Sequence, residues 1–195
     1  MIELKNIKKS YGDPPKLVLD DVSLSFSEGI TCIMGPSGIG KTTLINIIAG
    51  LTFPDSGSIS GAGKKISMVF QEDRLLEWES AIGNVLFVTK YARKKQEIAK
   101  ALLFQAGLAD SMYKKTAELS GGMKRRVTLC RALIAEYDLL ILDEPFKGLD
   151  SSIKLSIMQM VREHTKGNGK IVICITHDPA EAEFLGGKLI MFNTV

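Results

Sequence analysis

Gly35-Pro36-Ser37-Gly38-Ile39-Gly40-Lys41-Thr42-Thr43 is the segment around which the rest of the chain is organised. Its spacing is G-x-x-x-x-G-K-[ST], that of a phosphate-binding loop (Walker A). An apolar run, Ile30 to Met34, enters it and reads as a buried strand, and a helical pattern from Thr42 to Ala49 leaves it. Glycines let the backbone wrap closely and turn its N–H groups toward phosphate oxygens. The helix N-terminus adds a dipole that favours anions. Lys41 is long enough to reach the β- and γ-phosphates of a nucleotide, and the Thr42 hydroxyl suits Mg²⁺. A plain glycine-rich turn is the competing reading, and the strand-loop-helix setting argues against it.

Before the loop, Ile2 to Ile7 alternates as a strand, and Lys9 to Pro15 reads as a turn-rich loop. Leu17–Leu19 and Val22–Phe26 read as two further strands, which predicts a small antiparallel sheet ahead of the core. After the loop helix, Gly50–Gly57 reads as a loop, and Ser58–Ser60 and Lys65–Phe70 as strands. From about Leu75 to Leu119 the pattern changes. Ile82, Val85, Leu86 and Ile98, Leu102, Leu103 recur at helical spacing with no strand signal, which predicts a helical subdomain inserted in the core. Ser120-Gly121-Gly122 then opens a helix with Val127, Leu129, Leu133 and Ile134 on its apolar side. Leu139–Leu142 is a fully apolar strand suited to a parallel sheet covered on both faces. A helix over Ser151–His164, stopped by Gly167-Asn168-Gly169, a buried strand over Lys170–Ile175, a short helix over Asp178–Leu185 and a strand over Lys188–Phe192 complete an α/β chain.

The 195 residues suffice for one well-filled domain. A hydrophobic share of 45% and a charged share of 24% are ordinary for a soluble globule. A net charge of +3 gives no argument for a nucleic-acid surface, and the runs Arg93-Lys94-Lys95 and Lys124-Arg125-Arg126 read as solvated helix faces. Cys32, Cys130 and Cys174 are odd in number, far apart and set in apolar elements, so they read as reduced core thiols. Met1–Lys5 already reads as a strand, leaving no visible signal peptide, and the apolar stretch Leu44–Leu51 is too short to span a bilayer. Work at a membrane would need a partner.

Ligands of parallel α/β sheets bind beyond the carboxyl ends of the strands. Three strands deliver polar groups there: Lys41 and Thr42, then Asp143 and Glu144, then Thr176 and His177. Asp143-Glu144 after a buried strand is a Walker B pattern. Asp143 would hold Mg²⁺, and Glu144 would act as base or positioner for an attacking water. Taken alone, the two carboxylates also suit N-caps of a following helix.

Leu119-Ser120-Gly121-Gly122-Met123, lying between these two motifs, resembles the signature of the ABC transporter ATPases, and the resemblance covers essentially the whole chain. It implies a P-loop NTPase core with a mostly parallel sheet, an N-terminal antiparallel β subdomain and an inserted helical subdomain. Residues 1–74 and 120–195 would form the core of one ABC ATPase domain, and 75–119 the insertion. It further implies ATP as substrate and Mg²⁺ as cofactor. Tyr11 would stack on adenine. Gly35 to Thr43 would hold the phosphates. Gln71 would contact metal and water, and His177 would sense the γ-phosphate. Gly148-Leu149-Asp150 matches the D-loop, with Asp150 near the nucleotide. Ser120, Gly121 and Gly122 open a helix and so form an anion site. The resemblance implies that this site closes on ATP held by a second copy, head to tail.

Phe70-Gln71-Glu72-Asp73-Arg74-Leu75-Leu76-Glu77-Trp78, followed by Asn84-Val85, is similar to the ATPases of nitrate, sulfonate and taurine importers. This implies a separate membrane permease docking near Gln71–Trp78, a substrate-binding protein acting through it, and a peripheral place on the cytoplasmic face of the membrane. The alternative is a soluble or exporter-type ABC ATPase not coupled to uptake. The chain departs from that importer group at Glu77 (usually Pro) and from the wider family at Arg125 (often Gln) and Lys147 (often small), and neither Arg125 nor Lys147 is expected to touch the core chemistry. With 30 positions from Lys41 to Gln71 and 18 after His177, the chain is compact and no C-terminal regulatory domain is expected.

Overall fold

The computed structural model describes residues 1–61, 65–167 and 169–193. It contains a three-stranded antiparallel sheet, order β2-β1-β4, and a five-stranded sheet, order β5-β6-β7-β3-β8. The strands are β1 (Ile2–Tyr11), β2 (Lys16–Phe26), β3 (Gly29–Met34), β4 (Ser56–Ser60), β5 (Ile66–Val69), β6 (Leu139–Asp143), β7 (Ile171–Ile175) and β8 (Lys188–Met191). The chain divides into two compact units. The first comprises Met1–Ile66, Tyr137–Asp143 and Gly167–Val195, and the second Ser67–Glu136 and Glu144–Lys166.

In the first unit, β1 buries Ile2, Leu4 and Ile7. The expected loop from Lys9 is shorter, because β1 continues to Tyr11 and pairs with Lys16 of β2. The two strands expected over 17–26 are one. Their alternation breaks where β1 and β2 shift register, with Asn6 at φ 51° and Asp21 at φ 53°. Asn and Asp tolerate this left-handed conformation better than other side chains. Here Asn6 Nδ2 donates to Asp21 Oδ1 at 2.7 Å, which ties the two irregular residues together. In the larger sheet β3 runs parallel to β7 and β8, and β6 parallel to β7. Every residue of β6 and β7 is buried, as expected for central parallel strands. Helix α1 (Lys41–Ile48) follows β3, and α6 (Pro179–Leu185), capped by Asp178 on the Ala180 N–H, follows β7.

The second unit holds α2 (Ala81–Phe87), α3 (Gln96–Gln105), α4 (Gly121–Ile134) and α5 (Ser151–Thr165), with 3-10 turns at Arg93–Lys95, Ala109–Ser111 and Thr116–Glu118. Helix α4 packs on α2 and α3, burying Val127, Leu129, Leu133 and Ile134. Ser80 caps α2 through the Gly83 N–H at 3.0 Å, and Ser80 also bridges Lys115 in a single antiparallel pair. Helix α5 runs one residue past His164; of the Gly167–Gly169 stop, Asn168 lies outside the described residues. The three cysteines are free and buried, and burial pushes the Cys130 thiol up to about 12, which keeps it protonated.

Candidate functional site

The loop Gly35–Gly40 joins β3 to α1 within the first unit. Gly40 is the N-cap of α1 at φ 104°, and a Cβ there would lie 2.8 Å from Leu19 Cδ2, so both conformation and space require glycine. No side chain caps this helix end, and its first N–H groups face the loop region where an anion would sit. Lys41 is only 6% exposed. Its ammonium lies inside the loop, donating to the carbonyls of Gly35 at 2.7 Å and Pro36 at 2.6 Å. Thr42 Oγ1 donates to Asp143 Oδ2 at 3.2 Å, and Asp143 is buried at the end of β6. A hydroxyl and a carboxylate side by side, next to a phosphate-binding loop, suit Mg²⁺, which takes one or two protein oxygens with substrate phosphates and water. Among the described residues there is no group of three or more His, Cys, Asp or Glu able to hold a metal alone.

His177 follows β7, whose neighbours in the sheet are β3 and β6. It is exposed, while Thr176 before it is buried. The Thr176 hydroxyl donates to the Glu181 carboxylate and accepts the Asp178 N–H at 3.1 Å, so α6 fixes both flanks of the histidine. Glu181 was not singled out in the sequence; its signal is its place one turn along the helix that follows His177. Tyr11, at the end of β1, is 44% exposed, with Lys9 Nζ 5.3 Å from its ring centre.

The second unit holds Gln71, Ser120, Gly121, Gly122, Glu144 and Asp150. Ser120 caps α4 through the Met123 N–H at 3.3 Å. A Cβ on Gly122 would fall 3.3 Å from the Gly148 carbonyl oxygen, so glycine permits the close approach of the D-loop turn. Asp150 is the exposed N-cap residue of α5, without a side-chain cap bond.

Glu144 adopts φ 47°, a left-handed conformation that costs a non-glycine residue about 1–3 kcal/mol. What compensates is Arg125. Its buried guanidinium donates to the carbonyls of Glu144 (2.7 Å), Pro145 (3.2 Å), Phe70 (2.6 Å) and Gln71 (3.4 Å) and pairs with Asp73 at 3.3 Å. Arg125 therefore does not stand apart from the candidate catalytic residues: it ties the main chain of Glu144 to that of Gln71. The same holds for Lys147, whose ammonium lies 2.8 Å from Glu144 Oε2. Two more α4 side chains on the same stripe grip the stretch after Gln71. Thr128 Oγ1 and Arg131 Nη2 donate to the Asp73 carbonyl at 3.1 and 2.9 Å, and Arg131 Nη1 to that of Arg74 at 2.8 Å. Farther along, the fully buried Asn84 accepts from the Leu76 N–H at 2.8 Å and donates to the Leu76 carbonyl at 3.0 Å, leaving Trp78 74% exposed.

Removing Arg125 would take its buried guanidinium from four carbonyls and one carboxylate. Arg125→Ala is expected to lower the unfolding free energy by about 3–5 kcal/mol, the usual cost of breaking a buried charged network. Urea unfolding checks this; a change under about 0.5 kcal/mol, typical of a surface site, would contradict the bridging role.

Among the described residues no helix is long and apolar enough to cross a membrane. The sequence model of the ABC transporter family matches residues 19–147. The chain is 38% identical over 208 residues to the bicarbonate transport ATP-binding protein CmpD of Synechocystis sp., covering 98% of this chain and 74% of that protein. It is 37% identical to the taurine import ATP-binding protein TauB of Escherichia coli O157:H7, covering 99% and 80%. To the aliphatic sulfonates import ATP-binding protein SsuB 2 of Burkholderia cenocepacia it is 35% identical, covering 98% and 73%. Among solved structures, the dimeric post-hydrolysis state of the ATP-binding cassette MJ0796 bound to ADP and Pi superimposes with a TM-score of 0.84 at 31% identity, covering 94% of this chain and 91% of that one.

Proposed function

Because this chain belongs to the ABC transporter family and carries its ATP-hydrolysing cassette, we propose that it is the energy-coupling subunit of an importer for a small solute of the nitrate, sulfonate, taurine or bicarbonate kind. The observation that carries this reading is likeness over nearly the whole chain to ATP-binding proteins named for bicarbonate, sulfonate and taurine transport.

In this reading Lys41 and the N–H groups of Gly35–Thr43 hold the triphosphate, and Tyr11 stacks on adenine. Thr42, Asp143 and Gln71 hold Mg²⁺, which when bound neutralises charge on the phosphate oxygens. Support comes from the hydroxyl–carboxylate pair of Thr42 and Asp143 and from the uncapped start of α1. Glu144 orients the attacking water and takes its proton. His177 senses the γ-phosphate. Ser120, Gly121, Gly122 and Asp150 act on the nucleotide held by a second copy, a reading supported by the dimeric state of the similar cassette. The whole chain serves as one ATPase domain, with 75–119 as its helical insertion. The Gln71–Trp78 stretch, held by α4 and Asn84 with Trp78 outward, docks on a membrane permease at the cytoplasmic face, and a solute-binding protein delivers to that permease.

The test is a pull-down with the Glu144→Gln chain and ATP from detergent-solubilised membranes of the native cell, read by mass spectrometry. Recovery of a multi-span permease is expected, and its gene neighbours would identify the solute. Recovery of ribosomal or DNA-bound proteins instead would favour a soluble ABC ATPase, and a permease with export neighbours an exporter.

A further inference from the structure

Lys147 stands three residues after Glu144, in a turn closed by the Lys147 N–H donating to the Glu144 carbonyl at 3.3 Å. Its ammonium reaches back to Glu144 Oε2 at 2.8 Å. The two side chains differ in exposure: that of Lys147 is 68% exposed and that of Glu144 only 11%. The main chain of Glu144 has little freedom, since Arg125 holds its carbonyl and that of Pro145. The contact that Lys147 makes is with the side chain, on one of its two carboxylate oxygens.

We propose that Lys147 is a positioning residue that brakes the ATPase, by holding the Glu144 carboxylate in a paired orientation it must leave before it can serve the attacking water. This rests on the reading of Glu144 as water positioner and base. The step it governs forms a bond from the water oxygen to the γ-phosphorus and breaks the bond from that phosphorus to the bridging oxygen of ADP. The water proton passes to the Glu144 carboxylate. A base must lie within hydrogen-bond reach of that proton, and an ammonium on one oxygen both restrains the carboxylate's orientation and lowers its affinity for a proton. Both partners sit in one turn, so the pair forms within a single copy and needs neither nucleotide nor neighbour. Because the lysine is mostly in solvent, the pair is weak and the brake is modest.

Steady-state ATP hydrolysis by the full chain tests this with the parent, Lys147→Met, Lys147→Arg, Glu144→Gln and the Glu144→Gln/Lys147→Met double variant. Lys147→Met is expected to raise kcat about two- to fivefold at low salt, the range an exposed ion pair can account for, with KM for ATP unchanged. Lys147→Arg, which keeps the cation, should stay at the parent rate. At about 0.5 M salt, which screens exposed charges over a few ångströms and partly buried ones less, the parent should move part of the way toward Lys147→Met. A Lys147→Met kcat at or below that of the parent overturns the proposal, as does an equal acceleration by Lys147→Arg. Glu144→Gln keeps the two readings apart. If it hydrolyses at the parent rate, the role of Glu144 fails whatever Lys147 does. If it is inactive while Lys147→Met matches the parent, that role stands and the brake falls. In the Glu144→Gln background, Lys147→Met should add nothing.

Discussion

Glu144→Gln is expected to bind ATP normally while its kcat falls about 10²- to 10⁴-fold, the range lost with a general base. The substitution keeps size and shape but removes the oxygen that can take a proton. Fold should survive it. Its left-handed conformation is supported by main-chain contacts, from Arg125 Nη2 and the Lys147 N–H to its carbonyl, and neither of these two uses the carboxylate. The lost ion pair to Lys147 is worth at most about 1 kcal/mol, because its lysine is exposed. With ATP bound and hydrolysis stalled, the two-copy state should accumulate. Single-turnover hydrolysis and size-exclusion chromatography with Mg²⁺ and ATP give both readouts. Hydrolysis at the parent rate would remove Glu144 from the chemistry, and a chain that stays monomeric with ATP bound would count against the head-to-tail arrangement.

Lys41→Ala should weaken ATP binding by about 10²- to 10⁴-fold and abolish measurable turnover. Hydrogen bonds from a charged donor contribute about 1.5–3 kcal/mol each, and two to the phosphates amount to this loss in affinity. The side chain is nearly buried and organises the loop, since its ammonium spans the Gly35 and Pro36 carbonyls. Truncation therefore removes a point charge and frees the loop that surrounded it. Lys41→Arg should rescue poorly, because a rigid planar fork does not fit where a compact ammonium is enclosed. Calorimetric titration with ATP measures the affinity, and far-UV circular dichroism shows that the fold is intact. Near-parent affinity in a folded Lys41→Ala chain would refute the phosphate-binding role.

Much of this molecule is readable in its residues, and the misses have a common cause. The phosphate-binding loop, the apolar strands of the parallel sheet and the signature serine at a helix start are local patterns, and local patterns survive into the fold. Even so, the strands expected over 17–19 and 22–26 prove to be one. The interruption at Asp21 is a bulge tied to Asn6, 15 residues away in sequence. In the sequence Arg125 registers as part of a basic run on an expected solvated helix face and as a departure from the family, and Lys147 only as such a departure; in the fold Arg125 and Arg126 are buried. The meaning of Arg125 and Lys147 is given by acceptors that lie up to 55 residues away, in the case of Arg125 and Phe70, or across a turn whose geometry one-dimensional spacing does not reveal.

The family, the α/β class and the candidate phosphate-binding loop are legible in the residues alone, because glycine spacing, apolar periodicity and helix starts follow from covalent geometry and burial near each residue. Only the folded chain shows that one buried guanidinium joins the main chains of Gln71 and Glu144 and that Lys147 pairs with the carboxylate of Glu144. Those contacts depend on which carbonyls and carboxylates the folded chain brings within hydrogen-bond reach of a donor, and short-range directional bonds of that kind have no signature in sequence spacing.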